Sequence, residues 1–162
     1  MKFILFRHAE KQGGLEKDSP LSPHGISQSR QILGQVISKQ LPIPTKIYCS
    51  PRKRTSLTLS PLAESFKLKI NINSLLDLKL NSETQKDFRL RIQEFLVSFQ
   101  LEPETPCIYV CTHQDWIEEF LSVIECSTDL LQPKYSVWPC GQYMYFEKNE
   151  IWDLVSFKLI SV

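Results

Sequence analysis

Four side chains of this sequence are of types that handle anions, and they lie in three separate places. Arg7 and His8 end the apolar run of "FILFRHAEK", Arg54 lies in "SPRKRTSLT", and His113 closes "CIYVCTH". Arginine offers a planar fork of N–H donors that matches phosphoryl oxygens. Histidine adds a hydrogen-bonding nitrogen and, when neutral, a nucleophile. Brought together, two guanidiniums and two imidazoles make a cationic pocket suited to a phosphoryl group. The cations would depress the pKa of a neighbouring histidine, keeping it able to attack, and would offset charge developing during transfer. Such a site needs no metal or other cofactor in principle. Taken singly, each residue has a plainer account: Arg7-His8 as a solvated strand exit, His113 as a hydrogen-bonded core histidine.

These positions meet only if the elements before them are neighbouring strands of one sheet. Phe3 to Phe6 is short, continuous and apolar, as a strand buried on both faces should be. "LSPHGISQSRQILGQVISKQ" is helical from about Ser22, with Ser22-Pro23 suiting the N-cap and first helical position. Ile26, Leu33, Val36 and Ile37 supply its expected apolar stripe. Pro42 to Pro44 break that helix before a second strand, Lys46 to Ser50. A second helix follows from "SPRKRTSLTLSPLAESF", where Pro61 is expected to shorten or kink it. Leu68 to Asn73 alternates weakly, as a third strand. From Glu83 the helical period is clear in Phe88, Ile92, Phe95, Leu96 and Phe99. "CIYVCTH" is another buried strand, and "QDWIEEFLSVIE" a helix with Trp116, Phe120, Leu121 and Ile124 inward. Strands at Gln142 to Glu147 and Ile151 to Lys158 close the chain as a hairpin. Strands alternating with helices predict an α/β fold: a mostly parallel central sheet with some antiparallel strand character and helices on both faces, an α/β/α sandwich. In such sheets ligands bind beyond the carboxyl ends of the strands, which is where Arg7-His8, the segment before Arg54, and His113 fall.

The 162 residues fit one domain, residues 1–162, and the 42% hydrophobic and 23% charged fractions are those of a globular chain. Nineteen basic against eighteen acidic residues leave a net charge of +1, which gives no support to a nucleic-acid binder. No run approaches the roughly 18 apolar residues of a membrane span, and the four apolar residues before Arg7 are too few for a secretory core. Five cysteines without C-x-x-C spacing suit free thiols in a reducing compartment, so a cytoplasmic location is expected. Cys107, Tyr109, Cys111 and His113 share one strand face by parity, where packing is the favoured reading over a metal site. His24 reads as surface. Arg52 and Lys53 read as solvent-facing, with contact to an acidic partner or substrate as the alternative.

The motifs resemble those of the histidine phosphatase superfamily, the phosphoglycerate mutase-like fold. "RHAE" is similar to its R-H-G-E signature. "LSPHGISQ" resembles L-T-x-x-G-x-x-Q through Leu21, Ser22, Gly25 and Gln28. "SPRKRTSLT" resembles S-P-x-x-R-x-x-x-T through Ser50, Pro51, Arg54 and Thr58, and "VCTHQDWI" the second-histidine motif through His113. The matches occur in family order between about Phe3 and Ile117. The resemblance implies that His8 is the nucleophile that becomes phosphorylated, and that Arg7, Arg54 and His113 bind the phosphoryl group with it.

Three departures accompany it. Ala9 replaces the usual glycine, adding a methyl where the backbone would approach phosphate or adopt positive φ. Leu57 stands where the family often has glutamine. The family's acidic L-x-E segment and glycine-rich insertion are not matched: "SLLDLKLNSE" offers Asp77 in that register, with Glu83, Asp18 and Glu10 as the other carboxylates able to reach the pocket. An alkoxide needs a proton on leaving and an imidazole needs far less help. The chain therefore resembles the small phosphohistidine phosphatases of the SixA type, and a phosphohistidine-bearing protein is the expected phosphorylated substrate. A phosphatase or, less readily, a mutase of a small phosphorylated metabolite is one alternative. A catalytically silent module that recognises phosphate is the other.

Overall fold

Phe3, Ile4, Leu5 and Phe6 are wholly shielded from solvent, so the first strand is buried on both faces as its unbroken apolar run requires. In the computed structural model, which describes residues 1–14, 18–98, the backbone of 99–100, and 107–162, that strand is β1 (Lys2–Arg7). It is followed by α1 (Pro23–Ile37), β2 (Lys46–Cys49), α2 (Lys53–Phe66), β3 (Ile70–Ile72) and a 3-10 turn at Ser74–Leu76. Then come α3 (Gln85–Gln100), β4 (Cys107–Thr112), α4 (Gln114–Val123), a second 3-10 turn at Pro133–Tyr135, and the hairpin β5 (Gln142–Lys148) and β6 (Trp152–Leu159). The sheet order is β3-β2-β4-β1-β5-β6. Strands β3, β2, β4 and β1 are mutually parallel, while β5 runs antiparallel to both β1 and β6. The fold is the α/β type that the sequence predicts.

Strand parity sends alternate side chains into two cores. Phe3, Leu5, Ile108 and Val110 pack with Phe88, Ile92 and Phe95 of α3 and Trp116, Ile117 and Phe120 of α4. Ile4, Phe6, Tyr109 and Cys111 face the opposite way, against Ile32 and Val36 of α1 and Leu59, Leu62 and Ala63 of α2. Helices thus cover both faces, and Cys107, Tyr109 and Cys111 lie in packing. The side chain of Phe99, expected in the α3 stripe, lies outside the described residues.

Two expectations for the helices fail for identifiable reasons. Ile26 and Ile37 are exposed; the inward face of α1 is Gly25, Gln28, Ser29, Ile32 and Val36. That face is set by close approach and hydrogen bonding rather than by the most apolar stripe. Of the two outcomes expected of Pro61, shortening does not occur: α2 continues to Phe66. Proline removes the N–H that would have bonded the carbonyl of Leu57. The hydroxyl of Ser29 on α1 donates to that carbonyl instead, at 3.0 Å, and also reaches the Thr58 carbonyl at 2.8 Å. The helix pair is stitched where the proline leaves an acceptor open.

Candidate active site

The carboxyl ends of β1, β2 and β4 lie side by side because those strands are parallel and adjacent. Hydrogen bonding continues past their ends. His8 N donates to the Thr112 carbonyl at 3.1 Å, Ser50 N to the Cys111 carbonyl at 3.2 Å, and Gly141 N to the His8 carbonyl at 3.1 Å. His8, Arg54 and His113, from three distant segments, are therefore fixed in one buried place, with Arg7 half-buried beside them. The His8 and His113 rings lie 5.4 Å apart, centroid to centroid.

The partners of each ring decide where its proton sits. His8 Nδ1 lies 2.8 Å from the Ala9 carbonyl oxygen, which only accepts, so Nδ1 carries the hydrogen and Nε2 keeps its lone pair. His113 Nδ1 lies 3.3 Å from Arg54 Nη2, which only donates, so its hydrogen is on Nε2, 2.8 Å from Ser50 Oγ. Ser50 Oγ is in turn 3.1 Å from Thr55 Oγ1. Burial lowers the His8 pKa to about 4, with Arg54, Arg7 and Lys11 adding to the effect and the Ala9 carbonyl opposing it. Burial, and then Arg54, His8, Arg52 and Arg7, lower that of His113 to about 2. Both imidazoles are neutral at physiological pH, and His8 presents an unprotonated nitrogen.

The arginines are held with donors to spare. Arg7 Nη1 donates to Gln114 Oε1 at 3.0 Å and to the Trp138 carbonyl, yet its buried Nε has no partner among the described residues. Arg54 Nε is likewise buried and unpartnered. Two buried guanidinium N–H groups left unsatisfied cost free energy unless an anion or water accepts from them.

Ala9 fits the loop. It is fully buried, its φ is not positive, and its N–H donates to Thr58 Oγ1 at 2.9 Å, so the alanine neither strains the backbone nor faces open space. The glycines that matter are elsewhere. A side chain at Gly25 would be driven into the Glu10 carbonyl, 2.9 Å from its carbon. Gly141 has φ +81° and leaves no room beside the Gln28 amide. Gln28 accepts from Glu10 N and donates to the Cys140 carbonyl, both at 2.9 Å, tying the loop after His8 to the approach of β5. Leu57 is exposed.

The four carboxylates separate clearly. Asp77 is the one at the site, its Oδ1 3.9 Å from His113 Nε2. The 3-10 turn Ser74–Leu76 delivers it, anchored by Thr112 Oγ1 donating to the Leu76 carbonyl at 2.7 Å. Its oxygens accept from Arg52 Nε at 2.7 Å and Nη2 at 2.8 Å, and from Leu78 N at 2.8 Å. Glu83 is paired with Arg91, whose hydrogen bond lowers its pKa. Asp18 caps α2 through Lys53 N at 2.9 Å. Glu10 accepts from Ser22 Oγ at the start of α1. Arg52 does not simply face solvent: it is half-buried and clasps Asp77 with two nitrogens. Lys53 and His24 are exposed. Sequence reading missed Gln114 and the Trp138 carbonyl as neighbours of the site, and carried contact at Arg52 only as the alternative. Gln114 is flagged by its position after His113, whereas Trp138 reaches Arg7 only through the fold.

The family model for the histidine phosphatase superfamily (branch 1) matches residues 3–77. No curated protein matches the sequence. Solved structures share its fold from end to end. One is an alpha-ribazole phosphatase from Shigella flexneri, at TM-score 0.76 and 17% identity over 100% of this chain and 99% of that one. Another is the protein histidine phosphatase SixA complexed with tungstate, at TM-score 0.76 and 14% identity over 98% and 97%. A phosphoserine phosphatase from Entamoeba histolytica, a variant solved with phosphoserine, gives TM-score 0.71 and 16% identity over 96% and 95%. The family match spans the first three motifs, through Thr58, while the His113 motif lies beyond it; over the whole chain the solved structures share the fold.

The depressed histidine pKa values carry a pH prediction. His8 stays neutral until about pH 4, so the acid limb of kcat/KM should lie near 4; a limb at the ordinary value of 6.5 would contradict the burial argument. Stability follows the same sign. The unfolded chain takes up these protons first, so the contribution is complete above about pH 6.5 and lost as pH falls toward 4. Urea midpoints at pH 7 and pH 5 check it.

Proposed function

We propose that this chain is a single-domain, cytoplasmic phosphatase that transfers a phosphoryl group to His8 and then to water, acting on phosphohistidine in a protein. One observation carries the reading: His8 Nε2 holds a lone pair in a buried site shared with Arg54 and Arg7, whose own buried Nε groups have no hydrogen-bond partner among the described residues. Nε2 attacks phosphorus as the bond to the leaving nitrogen breaks. Arg7 and Arg54 hold the phosphoryl oxygens, with His113 beside them. Water then attacks phospho-His8, releasing inorganic phosphate and restoring the imidazole. The reaction as written uses only side chains of this protein. The five free cysteines support a reducing compartment, and among the described residues no helix is long and apolar enough to cross a membrane.

The surroundings of Asp77 support the choice of substrate. Arg52 engages both of its oxygens and Leu78 N one of them, so the carboxyl group is committed to holding Arg52 rather than turned toward a leaving oxygen. An alkoxide would leave unaided. A phosphoimidazole protonated on its other ring nitrogen departs as neutral imidazole, with no charge to quench. Assaying purified protein on a phosphohistidine peptide and on alkyl and aryl phosphates tests this. The phosphohistidine peptide should turn over at least about 100-fold faster than an alkyl phosphate, with aryl phosphates between, the span ascribed to general acid catalysis. Equal rates on alkyl phosphates would remove phosphohistidine from the proposal, and binding without turnover would make the protein a recognition module.

A further inference from the structure

Beside the reaction pocket lies a hollow of about 440 Å³ lined by Arg52, Leu78, Lys79, Leu80, Asn81 and Ser82. Arg52 links it to the site. The Arg52 N–H reaches Ser50 Oγ at 3.3 Å, the same oxygen that meets His113 Nε2, and its guanidinium sits on Asp77, 3.9 Å from that nitrogen. The wall carries two cations and no carboxylate. The acids that balance the region stand behind it, each engaged: Asp77 on Arg52, Asp115 on Lys79 N at 2.7 Å, and Glu83 on Arg91 and on Leu80 N at 2.8 Å.

Arg52 is built to be held and still to bind. Nε and Nη2 are fixed by Asp77, which sets the plane of the fork, while Nη1 has no hydrogen-bond partner among the described residues. A fixed guanidinium binds a second carboxylate without the entropy cost of ordering a free arginine. Lys79 Nζ, held among the described residues only by Gln85 Oε1 at 3.0 Å on the exposed side, can swing to the same ligand.

We propose that this hollow is a subsite for a carboxylate carried by the substrate beside its phosphoryl group, read by Arg52 with Asp77 as its positioning residue. The proposal rests on the phosphatase reading and narrows it, because the phosphoryl group would be held by Arg7 and Arg54 while a neighbouring acid reaches Arg52. The source of the carboxylate is an acidic residue flanking the phosphorylated one in a protein, or the acid group of a small phosphorylated metabolite.

The experiment compares matched pairs. One pair is a phosphohistidine peptide with aspartate near the phosphorylated residue and its asparagine twin; the other is O-phosphoserine and O-phosphoethanolamine, which lacks the carboxylate. Wild type should prefer the acidic member of the pair that matches the natural source by about tenfold in kcat/KM, the size of a charge-assisted pair at a partly buried site. The preference should shrink as salt is raised to about 0.5 M. Arg52→Gln should bring the ratio close to one, and Arg52→Lys should restore part of it. A wild-type ratio near one in both pairs, or an undiminished ratio in Arg52→Gln, overturns the subsite. Absence of turnover in every arm would instead sink the phosphatase reading. The subsite is then read from equilibrium binding of the same pairs to wild type, where about a tenfold preference supports it and equal affinity overturns it.

Discussion

Replacing His8 with alanine should lower turnover of a phosphohistidine peptide by about 10⁴-fold or more, the scale seen when a covalent nucleophile is removed. The same change should abolish an acid-labile phosphoenzyme trapped from wild type. The size of the effect follows from the geometry. Of the two site histidines, His8 keeps Nε2 without a hydrogen-bond partner among the described residues, whereas the lone pair of His113 is occupied by Arg54 Nη2 and its N–H by Ser50. Loss of activity should not reflect loss of fold. The links that place residue 8 are made by its backbone, to Thr112 and from Gly141, and both survive the substitution. The variant should therefore still bind inorganic phosphate, because Arg7 and Arg54 remain. Turnover by His8→Ala at the wild-type rate would refute covalent transfer through this residue.

How much of this was legible in the sequence depends on whether a property is local. The end of β1 was readable because four apolar residues followed by Arg7-His8 record burial and its termination along the chain. Ser22-Pro23 gave the start of α1 for the same reason: the cap is a contact between Ser22 and Gly25, three residues apart. The inward face of α1 was not readable. A stripe drawn through Ile26 and Ile37 assumes that the most apolar face turns inward, whereas Gly25, Gln28 and Ser29 turn inward because their partners are Glu10, Cys140, Leu57 and Thr58. Arg52 and Asp77 illustrate the same limit at the site. Each is visible in the sequence as a charge at a plausible place, Asp77 as one of four candidate acids and Arg52 as a solvent-facing cation. Their pairing, across 25 residues, changes what each can do.

Gly25→Ala should cost about 3 kcal/mol or more, which is severe for a one-methyl change. The sequence motif marks Gly25 without giving a reason; the reason is the loop after His8. Ser22 N donates to the Glu10 carbonyl at 2.9 Å, and Ser22 Oγ bonds the Glu10 side chain at 2.6 Å, so the first turn of α1 is clamped onto residue 10 from two sides. A methyl at position 25 enters that clamp and meets backbone, not the flexible end of a side chain. Relief requires α1 or the loop to withdraw, and the loop cannot do so without disturbing the Gln28 bridge and the Ala9–Thr58 bond next to His8. The damage should therefore appear twice, as a lower urea midpoint and as slower phosphorylation of His8 in the fraction that folds. Gly34→Ala is the matched comparison on the same helix: its new methyl meets only the Gln31 side chain at 3.7 Å, and helix propensity predicts a gain of about 0.5–1 kcal/mol. Opposite signs at positions 25 and 34 would separate close approach from propensity. A loss below about 1 kcal/mol at position 25 would mean that α1 can back away freely, and the loop that carries His8 would then owe its placement to the Thr112 and Gly141 bonds alone.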